Sequence, residues 1–163
     1  MIRGLKKPNI KDLLVLVNLR KNSRNNLTDI SRNTSIPVTT VFEKVKRLNT
    51  NFIKKHTSLI DFAKLGYNTR VNVAIRATKK KELLKFLQQN PNVNSIYQLE
   101  QEYDFYVELI FRNLKELEEF TESIEEFKIK KYESHHIIED LKREEFLTDI
   151  GHLKIHPSPS NTS

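Results

Sequence analysis

The 163-residue chain has no cysteine and no tryptophan, and only three glycines. Without cysteine there are no disulfides, no thiolate zinc sites and no cysteine nucleophile. No glycine-rich phosphate loop, HExxH pattern or Ser/His/Asp constellation is present, so no enzyme chemistry and no cofactor are expected. Long apolar runs are missing too. The longest, Leu13–Val17, is bounded by Asp12, Asn18 and Arg20, far short of the ~18 to 20 residues a membrane span needs. No small-residue cleavage site follows it, so the expectation is a soluble, cytoplasmic protein with no membrane partner.

What the sequence does have is charge, unevenly placed. Residues 1–56 carry 13 Lys or Arg against 3 Asp or Glu, while residues 57–163 carry 15 against 18. A basic first part joined to a slightly acidic remainder points to a polyanion-binding module attached to something else. A merely solvated basic surface is the plainer alternative.

Periodicity divides the chain further. Residues 1–8 form a basic arm with Arg3, Lys6 and Lys7. Apolar positions 10, 13, 14, 16, 17 and 19 predict a well-buried first helix. Asn26, with Asp29 three residues on, predicts the N-cap of a short second helix that ends before Pro37. Val38, Val41, Val45 and Leu48 then form the stripe of a third helix. Three helices with a tight turn between the last two make a helix-turn-helix over residues 9–56.

Beyond it, residues 52–61 alternate like a strand, and residues 57–68 read as a strand and hinge linker containing Gly66. From Thr69 the period becomes two, and the order β-α-β-β-α-β follows through residue 146, the ferredoxin-like arrangement. Its strands are marked by Val71, Val73 and Ile75 and by Phe105, Val107, Leu109 and Phe111; Leu114, Leu117, Phe120, Ile124 and Phe127 mark its longer helix. Residues 147–163 have the composition of a disordered tail. The fold class expected is therefore α+β.

The third helix carries the functional signal. Opposite its valines the sequence places Thr39, Thr40, Glu43, Lys44, Lys46 and Arg47. Short hydroxyls early in a helix reach base edges or phosphates, and Lys and Arg match phosphate geometry. Lys54 and Lys55, followed by His56, extend the basic surface after the helix. Double-stranded DNA in the major groove is the partner this face suits, although a solvated face of mixed charge would look similar. Phe42 reads as packing. Adjacent His135 and His136 on a strand point to opposite faces and do not suit one metal ion, and the carboxylates of residues 116–126 read as the solvent side of a helix.

Several ordered segments resemble the Lrp/AsnC, or feast/famine, transcription regulators. They include Asp12, Leu27–Ser31, Val41–Leu48, Ile53–Tyr67, Glu102–Phe105 and His135–Lys142, and the resemblance spans roughly residues 9–142. It implies a winged helix-turn-helix followed by a ferredoxin-like effector-binding domain. That domain would form homodimers, extending to tetramers or octamers, and bind small effectors, commonly amino acids. The effector loop falls on Gln101, Glu102, Tyr103 and Asp104. Two positions depart from the family pattern, with Ser35 and Gln101 standing where it has glycine. The reading is a sequence-specific transcriptional regulator, with a nucleoid location. An architectural DNA-coating protein, or a relative with a ligand-binding or enzymatic role and no DNA, are the alternatives.

Overall fold

The computed structural model describes residues 7–153. The expected basic arm lies outside the described residues except at Lys7 and Pro8. The chain forms two compact units, one built from its beginning through Ser58 together with the segment from Lys142, the other from Leu59–Leu141.

The first unit is three helices, α1 (Ile10–Lys21), α2 (Leu27–Thr34) and α3 (Val38–Asn51). Asn9 caps α1 in a reciprocal box: its side chain accepts from the Asp12 N–H at 3.0 Å, and the Asp12 carboxylate accepts from the Asn9 N–H at 2.8 Å. Each partner satisfies an amide that the helix itself leaves orphaned. Asn26 caps α2 by accepting from the Asp29 N–H at 2.8 Å. Between α2 and α3, Ser35 takes the left-handed conformation, with φ 56°, where a side chain costs ~1 to 2 kcal/mol. Ser31 Oγ steadies this turn by donating to the Ile36 carbonyl at 2.6 Å. Val15, Leu19, Ile30, Ile36, Val41 and Leu48 close the core, each fully buried apolar side chain contributing roughly 1.5 to 3 kcal/mol.

The strand expected at residues 52–61 is corrected, because this stretch contains no helix or strand. Alternation makes a segment suited to pairing, but a strand exists only beside another strand, and the described residues supply none here. A 3-10 turn, Ala63–Leu65, follows and ends on Gly66 at φ 87°, a conformation natural to glycine. Within the tail expected from residue 147, Ile150–His152 form a 3-10 turn capped by Asp149, while residues 154–163 lie outside the described residues. Arg20 on α1 donates from Nε to the Phe146 carbonyl at 3.1 Å and pairs with Glu144, which ties this segment to the first unit.

The second unit is a four-stranded antiparallel sheet in the order β2-β3-β1-β4, formed by β1 (Thr69–Ala77), β2 (Val93–Gln98), β3 (Phe105–Phe111) and β4 (Ile129–His136). Helices α4 (Lys80–Gln89) and α5 (Leu114–Ile124) complete the βαββαβ order. The register sets Val73 opposite Val107, and Val107 opposite Ile96. One face of the sheet therefore presents Val71, Val73, Ile75, Val107, Leu109 and Phe111 to the helices. Leu114, the first of the residues that mark the longer helix, is 59% exposed at the first position of α5. On the helix-free face Ala74 and Ile110 are buried, and Arg70 reaches across to Glu108 (Nε to Oε1, 2.8 Å) and Asp140 (2.7 Å).

Candidate nucleic-acid interface

The orientation of α3 is set by a charge that the interior would reject if it were alone. Asp12 on α1 is fully buried. Its Oδ1 accepts from Lys44 Nζ at 2.7 Å and its Oδ2 from an Arg47 guanidinium nitrogen at 2.8 Å. Burial pushes the Asp12 carboxyl upward, but the Lys44 bond, the Asn9 amide and the two cations outweigh it and hold it below the usual carboxylate range. The carboxylate thus pins two residues of α3 to α1.

Two residues expected to contact DNA are therefore paired within the unit. Lys44 and Arg47 do not stand on the open face; their charges are directed at Asp12. The helix geometry explains it. Steps of three and four residues return to nearly the same side, so Lys44, three after Val41 and four before Leu48, lies beside the buried stripe. Arg47, three further on, follows it around the same flank, and Thr40, four before Lys44, is half-buried there.

The open face carries Thr39, Glu43 and Lys46, all exposed. It also carries Phe42, 52% exposed, and Val38, 41% exposed, so the reading of Phe42 as packing is corrected too. Periodicity registers only the alternation of polar and apolar positions. Phe42 lies a single residue beyond Val41, about 100° around the helix, which puts it outside the core. Lys54 and Lys55 are exposed on the irregular stretch after α3. His56 Nε2 lies 2.9 Å from Asn49 Oδ1 and so holds the start of that stretch against the helix.

In the second unit the loop between β2 and β3 brings Gln101, Glu102, Tyr103 and Asp104 together. Gln101 has φ 74°, so a glutamine adopts a left-handed turn suited to glycine. Glu102 pairs with Lys131, and the Lys131 ammonium lies 5.9 Å from the centre of the Tyr103 ring. The Tyr103 hydroxyl is pushed up to about 12 by its hydrogen bond to Glu133, with burial and the charges of Glu133 and Glu102 acting the same way. Asp104 faces inward, accepting from the Ala77 N–H at 2.9 Å and pairing with Lys80. Burial raises its pKa, but Lys80 and the Ala77 amide prevail and lower it. Asp104 therefore anchors the loop, while Gln101 and Glu102 are exposed.

Among the described residues no group of three or more His, Asp or Glu is placed to hold a metal ion, and no helix is long and apolar enough to cross a membrane. His135 lies 3.7 Å from Glu133.

The family model of the Lrp/AsnC ligand binding domain matches residues 69–146. The uncharacterized HTH-type transcriptional regulator PF0250 of Pyrococcus furiosus is 30% identical over 112 residues, covering 65% of this chain and 75% of the relative. Among solved structures, LrpC of B. subtilis superposes with TM-score 0.77 at 21% identity, covering 84% of this chain and 99% of that one. The transcriptional regulator NMB0573 of Neisseria meningitidis, in complex with L-Met, gives TM-score 0.77 at 14% identity, covering 84% and 94%. Fold and relatives together define a helix-turn-helix transcriptional regulator. The chain belongs to the Lrp/AsnC family.

Proposed function

We propose that this regulator binds operators sequence-specifically, with α3 in the major groove. Residues 9–56 form the DNA-binding domain and residues 69–146 the effector-binding and oligomerisation domain. The observation that carries this reading is the Asp12 clamp. It fixes α3 so that Thr39, Glu43 and Lys46 face outward together, on a unit with 13 basic and 3 acidic residues through position 56. Thr39 and Glu43 read base edges, whereas Lys46, Lys54 and Lys55 meet phosphates. Lys44 and Arg47 serve as positioning residues.

Homodimers or larger assemblies follow from what the second unit leaves uncovered. Leu59, Leu65, Ile138 and Leu141 are 58%, 63%, 98% and 90% exposed in the single chain. Several large side chains in water at once favour a partner copy. The effector is a small molecule of the amino-acid class, received at the loop of Gln101, Glu102, Tyr103 and Asp104. The match of residues 69–146 to a ligand binding domain and the methionine complex of the Neisseria regulator support this. A regulator that binds operators works at the nucleoid, in the cytoplasm.

The test is the affinity of the full chain for its own promoter and for a scrambled duplex across a salt series. The expected result is a preference for the promoter that persists as salt rises. Equal affinity for both duplexes with the same steep salt dependence would point to an architectural protein instead. For the effector, an amino-acid panel should contain at least one member that raises thermal stability or changes assembly size, and a panel with no such member rejects that class.

A further inference from the structure

Phe42 is a large aromatic side chain placed where the core does not need it. It is 52% exposed, and it belongs to neither hydrophobic core cluster. On a helix of 3.6 residues per turn, Val38 and Lys46 sit about 40° to either side of it and Thr39 about 60° away. Phe42 and Val38 thus form an exposed apolar strip along the edge of the polar face that carries Thr39, Glu43 and Lys46. The buried Val41 and Leu48 lie about 100° to 120° from Phe42, beyond Val38, so the strip borders the core stripe.

The surroundings say what covers this strip. The unit is strongly basic, and Lys46 stands beside the ring with no acidic residue on α3 within one turn other than Glu43. A polyanion is therefore the complementary surface. Phe42 is also the fifth residue of α3, within the N-terminal half from which a recognition helix contacts base edges. Phosphates give an apolar ring nothing to bind. The major-groove edge offers one apolar group, the thymine C5-methyl.

We infer that Phe42, flanked by Val38, is a specificity-determining residue that packs on a thymine C5-methyl in each half-site. The inference rests on the DNA reading of α3 given above. Glu43, one residue on, takes a neighbouring base through its exocyclic amine, so the strip and the carboxylate read adjacent positions.

The full-length protein and Phe42→Ala are each used to select duplexes from a random pool. The motif enriched by the wild type should contain a thymine whose replacement by deoxyuridine lowers affinity roughly fourfold, the worth of one buried methyl group. Phe42→Ala should keep the rest of the motif, lose its preference at that base and bind the thymine and deoxyuridine duplexes equally. Because deoxyuridine alters the DNA and leaves the wild-type protein intact, a poorly folded variant cannot imitate the effect. The inference is overturned if the wild type is indifferent to the methyl at every thymine of its motif, or if both proteins enrich the same motif. It is equally overturned if Phe42→Ala dissociates the oligomer with no change in base preference, since the ring would then lie between copies. Failure of the wild type to enrich any motif would remove the DNA reading of α3 itself, a result distinct from enrichment without methyl dependence.

Discussion

Asp12 shows how one residue can decide the geometry of a surface it never reaches. Its carboxylate is fully buried between Lys44 and Arg47, whose side chains are 13% and 31% exposed. Removing one member of such a set leaves the others desolvated and unpaired, so Asp12→Asn should destabilise the fold by about 3 kcal/mol, read from denaturant midpoints. The sign of the pH dependence follows from the lowered pKa. Asp12 ordinarily titrates near 3.8 and titrates lower in the folded chain. Its contribution is therefore present above 3.8 and lost as pH falls through the lower folded value. The stability gap between wild type and Asp12→Asn should stay constant above about pH 5 and close on further acidification. A gap that widened in acid would refute the assignment.

Ser35 offers a second test at the same scale. Its left-handed backbone costs ~1 to 2 kcal/mol, but glycine there adds roughly 0.5 to 1 kcal/mol of unfolded-state entropy to be lost on folding. The relief of strain outweighs the added entropy, so Ser35→Gly should be slightly stabilising and Ser35→Val clearly destabilising, both read from thermal midpoints. Equal loss in both variants would mean that the serine hydroxyl, and not the backbone, decides this turn.

At the scale of elements, the proposed DNA contacts divide α3 into residues that position it and residues that read. Lys46 is exposed on the open face, whereas Lys44 is committed to Asp12. Lys46→Ala should weaken binding to all sequences alike and reduce the slope of log affinity against log salt by about 1. Glu43→Ala should leave that slope alone and relax the preference at one base. If the two variants behaved identically in a salt series with matched and mismatched duplexes, direct readout by α3 would be wrong. The helices and strands themselves were legible in the sequence because their signals are local: Asn26 before α2, the Val41 and Leu48 stripe of α3, and the period of two through Val71, Val73 and Ile75 of β1. The side to which Lys44 points was not, because it depends on Asp12, 32 residues away in the chain. A polar residue caught between buried positions three and four residues away was the available hint. Residues 52–61 misled for the opposite reason, since their alternation is genuine but a strand needs a neighbour that the described residues do not supply.

For the whole molecule the prediction concerns spacing. A homodimer related by a two-fold axis carries two copies of α3, and both can enter the major groove on one side of the duplex only if their half-sites lie about 34 Å apart or a multiple of it. In the proposed assembly the exposed Leu59, Ile138 and Leu141 are covered by a second copy, and the paired form is the one that meets DNA. Inserting about 5 base pairs between the half-sites turns one of them to the far side of the helix. Affinity should then fall toward that of a single half-site, where one protomer's contacts act alone. Inserting about 10 base pairs restores the facing at the cost of reach. A dimer of fixed span would stay weak at the longer spacing, whereas an assembly of several dimers would recover most of its affinity by bridging with a different pair of protomers. The three spacings therefore report both pairing and assembly size. Insensitivity to the 5-base-pair insertion would show that the α3 copies bind independently, and would defeat the two-fold arrangement.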